Sequence, residues 1–106
     1  MAYDEGIAGR VRRSLEARPG IAEAQMFGGL AFLLHGRMFC GVVGHDVVAR
    51  VGSARHAEAL RRPHARPMDF TGRPMRGFVF ASPGGIATGR ALAAWVRRGA
   101  DFAATL

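Results

Sequence analysis

The sequence contains no lysine. All 15 of its lysine-or-arginine cations are arginines, and 8 acids stand against them, leaving a formal net charge of +7. Beside abundant alanine and glycine, this arginine-only set fits a GC-rich coding bias, so the choice of arginine carries little meaning by itself. The charge carries more. It attracts acidic partners, nucleic acid among them, and it equally serves as a solvated surface that keeps a domain soluble.

Cysteine is almost absent too. With one thiol, Cys40, an internal disulfide is excluded and a reducing compartment is expected. Long apolar runs are missing: Gly28 to Leu34 is strand-sized, far below the roughly 20 residues that span a bilayer. At the start, Asp4, Glu5, Arg10, Arg12 and Arg13 stand where a signal peptide needs an apolar stretch. No membrane segment and a cytoplasmic location are therefore expected. At 106 residues, 49% hydrophobic and 22% charged, the chain reads as one globular domain over residues 1–106.

What is present divides by period. Tyr3, Ile7, Val11 and Leu15 recur every four positions and predict a helix over residues 3–17, ended by Pro19-Gly20. From Ile21 the period shortens. Ala22, Ala24 and Met26 alternate with Glu23 and Gln25 as a half-buried strand, and Leu30–Leu34 follows Gly28-Gly29 as a second. His35-Gly36 predicts a tight hairpin into Arg37–Val43, and Gly44-His45-Asp46 a turn into Val47–Val51. Ser53 is a plausible N-cap for a short helix with Ala57 and Leu60 inward, closed by Pro63. Pro63–Pro74 reads as mostly loop, with at most a short extended piece at Met68–Phe70. Met75–Ala81 is the fifth strand, Phe78 and Phe80 on one face and Val79 on the other. A final helix from about Ile86 or Thr88 buries Leu92, Trp95, Val96, Gly99, Phe102, Ala103 and Leu106, with Arg97, Arg98 and Asp101 opposite. The expected fold is α+β in two layers: an antiparallel sheet of about five strands, in the order α-β-β-β-β-α-β-α, packed by helices.

Catalytic material is thin. A nucleophilic Cys40 would need a base or cation beside it, such as His35 or His64 brought close by folding, but a thiol among apolar strand residues reads as core. His35, His45, His56 and His64 lack metal-ligand spacing. Pro83–Ala91 imitates a phosphate loop, yet Arg90 stands where lysine is needed and Ala91 where a hydroxyl is needed. No carboxylate pair is evident for acid–base work. No catalytic, cofactor or metal residue is assigned on these grounds, and a small enzyme built on Cys40 or His64 is the weakest reading.

The most suggestive feature is basic: Arg61, Arg62, Arg66, Arg73 and Arg76, with His64 among them and Asp69 opposing. Presented on a proline-restricted loop, these guanidiniums would grip phosphates or an acidic partner. In the plainer reading, Arg61 and Arg62 complement the end of their helix and the rest are solvated or paired with Asp69.

Several motifs in order then become recognisable. Met26-Phe27-Gly28-Gly29-Leu30-Ala31-Phe32 and His35-Gly36-Arg37-Met38-Phe39 resemble the opening of the TfoX/Sxy N-terminal domain family. Arg50-Val51, Arg66-Pro67-Met68-Asp69-Phe70, Gly72-Arg73-Pro74-Met75 and Leu92-Ala93-Ala94-Trp95-Val96 continue the resemblance over nearly the whole chain. It implies a two-layer domain with an antiparallel sheet. It also implies kinship with bacterial competence regulators that act as coactivators with a cyclic-AMP-responsive transcription factor. The C-terminal domain of those regulators is expected to be absent, since the chain stops at Leu106. The family's domain supplies no catalytic or ligand residues to carry over. A stand-alone regulatory module is expected, acting on a protein partner such as transcription machinery or a second copy of itself. The alternative is a nucleic-acid-binding module using Arg61–Arg76.

Overall fold

The structure is a computed structural model that describes residues 3–26, 28–70 and 73–106. Phe27, Thr71 and Gly72 lie outside the described residues, as do the side chains of Phe70, Arg73 and Pro74.

Helix α1 spans Glu5–Ser14. It starts later than its apolar spacing suggests because Asp4 is the N-cap, its Oδ1 accepting from Ile7 N–H at 3.1 Å. Four strands follow, β1 (Ile21–Met26), β2 (Gly29–Leu34), β3 (Arg37–Val43) and β4 (Asp46–Arg50). The β2–β3 turn has positive φ at both loop residues, His35 at 50° and Gly36 at 84°, as a type I′ hairpin requires. The turn into β4 is the pair Gly44-His45, so Asp46 already belongs to the strand.

A 3₁₀ turn, Ser53–Arg55, leads into the short helix α2 (His56–Leu60). Ser53 makes no capping bond there. The tighter turn also shifts the phase of the helix: Ala59 is buried, Leu60 half-buried, and Ala57 exposed rather than inward. Next comes the largest departure from the sequence reading. Residues expected to form mostly loop are strand β5 (Ala65–Phe70), paired with β6 (Arg73–Ala81), so the sheet has six strands. Pro67 concealed it. Proline cannot donate to a ladder, but β5 is an edge strand, where that is tolerated.

All neighbouring strands run antiparallel in the order β1-β2-β3-β4-β6-β5. A 3₁₀ turn at Pro83–Ile86 precedes the long helix α3 (Gly89–Ala103), whose N-cap is Thr88. Among the described residues no helix is long and apolar enough to cross a membrane.

The main core lies between the sheet and the helices. Leu92, Trp95, Val96 and Ala100 of α3 and Val11 of α1 meet Phe32, Phe39, Val42 and Val79 from the strands. Phe32 and Phe39 are fully buried, each contributing about 1.5–3 kcal/mol. Phe39 reaches this face through a bulge: Phe32 pairs with Cys40 and Leu33 with Met38, so Phe39 is the extra residue. Gly99 lets α3 approach closely, since a Cβ there would stand 2.1 Å from the Phe39 carbonyl oxygen. A smaller cluster of Ala31, Met38, Val48, Met68 and Phe80 forms separately, with Phe78 beside it. Phe78 and Phe80 thus oppose Val79, as the alternation predicts.

Edges and ends depart from the expected burial. β1 is an edge strand in which only Ile21 and Ala24 are half-buried and Met26 is exposed, so the alternation does not hold. Phe102 is half-buried, and Leu106 lies past the end of α3 at 48% exposure.

Candidate functional site

The basic segment is distributed over three elements instead of one loop. Arg61 and Arg62 follow the last turn of α2 and are exposed. Arg62 Nε donates to Glu58 Oε2 at 3.2 Å, four residues back on the same helix. Arg66 lies on β5, where it hydrogen-bonds Asp46 and sits 4.5 Å from the centre of the Phe80 ring. Arg76 lies on β6 and lines a groove of about 370 Å³ with Ser53, His56, Ala57 and Leu60. The Arg73 side chain lies outside the described residues. Two of the four described arginines are therefore already held by carboxylates.

A different convergence appears between α2 and α3. Arg98, on α3, donates from both terminal nitrogens to Glu58, Nη1 to Oε1 and Nη2 to Oε2, each at 3.1 Å. This bidentate pairing fixes both guanidinium position and plane. Chiefly through the Arg98 hydrogen bonds, with Arg62 adding to them, the Glu58 carboxyl is held below its ordinary range.

Two clefts meet at this pair of arginines. The larger, about 380 Å³, lies between Gly52, Arg55, Glu58 and Phe102, and is lined by both Arg62 and Arg98. The smaller, about 350 Å³, is lined by the same two arginines together with His64, Gly84, Gly85 and Trp95. Arg98 sits 5.4 Å from the Trp95 ring centre, so one arginine caps the aromatic wall of one cleft and anchors the carboxylate of the other. Each opening thus combines apolar surface with fixed guanidiniums.

The remaining sequence candidates fall elsewhere. Cys40 is fully buried, and burial pushes its thiol far above the ordinary range, away from the reactive thiolate. His35 occupies the β2–β3 turn, and His45 Nδ1 lies 3.0 Å from Asp4 Oδ2. His56 Nδ1 accepts from the Gly77 N–H. Among the described residues, no three His, Cys, Asp or Glu side chains converge on a metal-sized site. The loop that imitates a phosphate site is the 3₁₀ turn before α3, and Thr88 Oγ1 there accepts from Ala91 N–H at 3.0 Å.

Sequence reading missed Arg55, Glu58, Trp95 and Arg98 as a site. The 40-residue separation of Glu58 and Arg98 hides their pairing. One local signal existed: Trp95 and Arg98 are three apart on a helix, so they share a face.

No curated protein and no solved structure matches the chain. Over residues 13–103 it matches the TfoX N-terminal domain, and the chain belongs to that family.

Proposed function

We propose that this chain is a non-enzymatic regulatory module that acts through protein contacts made on its α2–α3 face. One observation carries the reading: two adjoining clefts open on that face and share Arg62 and Arg98. Fixed guanidiniums beside aromatic surface suit a protein contact, since arginine and the large aromatics are enriched at interfaces. The resemblance to competence coactivators favours transcription as the regulated process.

Cys40 supports a module without catalysis of its own, because a sealed thiol with a raised pKa is a poor nucleophile. A nucleic-acid surface finds less support. Arg62, Arg66 and Arg98 each face a carboxylate, which reduces the charge presented to phosphates.

A salt-dependent DNA titration separates the two. The protein-contact reading expects weak, sequence-independent binding in the range of about 10⁻⁴–10⁻⁶ M. Sub-micromolar, sequence-selective binding at physiological salt, abolished by changing Arg62, Arg66 and Arg73 together to Glu, would replace it.

A further inference from the structure

We propose that the smaller cleft is a carboxylate-binding pocket that receives an acidic side chain of the partner protein. The inference rests on the protein-contact reading and names the chemistry of that contact.

Trp95 is the starting point. It is 6% exposed, so its indole is sunk into the domain, yet its Nε1–H meets no acceptor among the described residues. A buried indole N–H ordinarily finds a partner. Among the described residues no fully buried side-chain nitrogen or oxygen is left unpartnered, so this nitrogen must open to the cleft. Gly85 marks the spot: a Cβ there would stand 3.8 Å from Nε1, and Gly85 lines the same cleft. An indole N–H is a donor only, so the missing partner is an acceptor.

The surrounding charge selects which acceptor. Arg98 uses Nη1 and Nη2 on Glu58, whereas Arg62 uses only Nε. The terminal nitrogens of Arg62 meet no acceptor among the described residues, and Arg62 lines this cleft. Two guanidiniums against Glu58 leave one positive charge. A single carboxylate matches it, while a phosphate group brings a larger negative charge. Pro63, Ala91 and Ala94 add an apolar wall for the methylene stem of such a side chain. Arg98 already occupies one face of the Trp95 ring, which removes that face as a stacking platform for a nucleobase. Because Glu58 holds the guanidiniums in place, little ordering remains to be done on binding.

Trp95 is the only tryptophan, so its emission reports directly on the cleft. The probes are acetyl-Leu-Glu-Leu-amide, its glutamine counterpart, free glutarate and inorganic phosphate. The glutamate peptide should change the emission saturably, with the glutamine peptide weaker by about tenfold or more, as expected for a hydrogen-bonded charge. Arg62→Gln should weaken the glutamate peptide about tenfold with an unchanged melting temperature. Arg61→Gln, outside the cleft, should leave binding unchanged. Trp95→Phe, followed by calorimetry, should weaken binding in the same direction. If that variant fails to fold, the Arg62 comparison decides. Equal binding of the two peptides, no binding of either, or indifference to Arg62→Gln would overturn the pocket. Tighter binding of glutarate or phosphate than of the peptide would overturn its assignment to a protein side chain. Failure of the peptides while a protein still cross-links to this face removes the carboxylate pocket alone. Selective sub-micromolar DNA binding removes the reading beneath it.

Discussion

Arg98 grips Glu58 through two parallel hydrogen bonds of 3.1 Å, tying α3 to the short helix α2. Arg98 lines both clefts and Glu58 the larger, so the pairing holds in place a side chain that shapes both.

Acid should therefore loosen this face. Glu58 is held below its ordinary range by Arg98 and then Arg62, and Glu23 by the Arg12 hydrogen bond. Asp4 is lowered first by the Ile7 N–H and then by His45. Carboxyls depressed in the folded state contribute stability above their unfolded pKa, near pH 4, and lose it as pH falls through the folded value. Melting temperature should hold steady above about pH 5 and fall progressively below about pH 4. Glu58→Gln should lower the plateau and flatten the acid limb. An acid limb identical to that of the parent would show that the Arg98 pairing contributes nothing.

Trp95→Ala should cost about 3–5 kcal/mol, the usual consequence of deleting a large buried aromatic. Denaturant unfolding followed by circular dichroism gives the value. A loss below about 1 kcal/mol would place the side chain at the surface.

Gly99→Ala tests the approach of α3 to the sheet. In an open helix, alanine is better than glycine by about 0.8–1.0 kcal/mol. Here the new Cβ would collide with the Phe39 carbonyl at 2.1 Å, so the sign should reverse to a loss of about 1–3 kcal/mol. A stabilised variant would contradict the close contact.

Cys40 should resist alkylation in the native protein at neutral pH, because its thiol is sealed and its pKa raised by burial. Cys40→Ala should cost about 1 kcal/mol, and Cys40→Ser more, because a buried hydroxyl without a partner adds about 1–3 kcal/mol. Rapid labelling of folded protein would refute the packing role.

The helices and the four-strand meander were legible because each rests on local chemistry. The apolar run Leu30–Leu34 set β2, His35-Gly36 set the turn into its return strand β3, and the spacing of Leu92, Trp95 and Val96 set α3. Strand β5 was not legible. Pro67 argues against a strand unless the segment is known to lie at an edge, and edge position depends on the whole topology. The bulge at Phe39 is equally hidden, since it depends on pairing with β2. For the candidate site, the sequence named Arg62 but not Arg98. Arg66 looks free in sequence, yet meets Asp46 from another strand. Arg98 looks like a solvated residue on the polar face of its helix, yet α2 brings Glu58 to it.

The claim that α2 and α3 present the working surface is tested most directly by photo-cross-linking in living cells of the native organism. A photoreactive residue is placed at Arg55 or Ala94, both exposed beside the clefts, or at Gln25, exposed on the distant strand β1. Positions 55 and 94 should yield one discrete protein adduct, diminished by Arg62→Glu, while position 25 yields none. Adducts from position 25 alone, or cross-links to nucleic acid in place of protein, would contradict it.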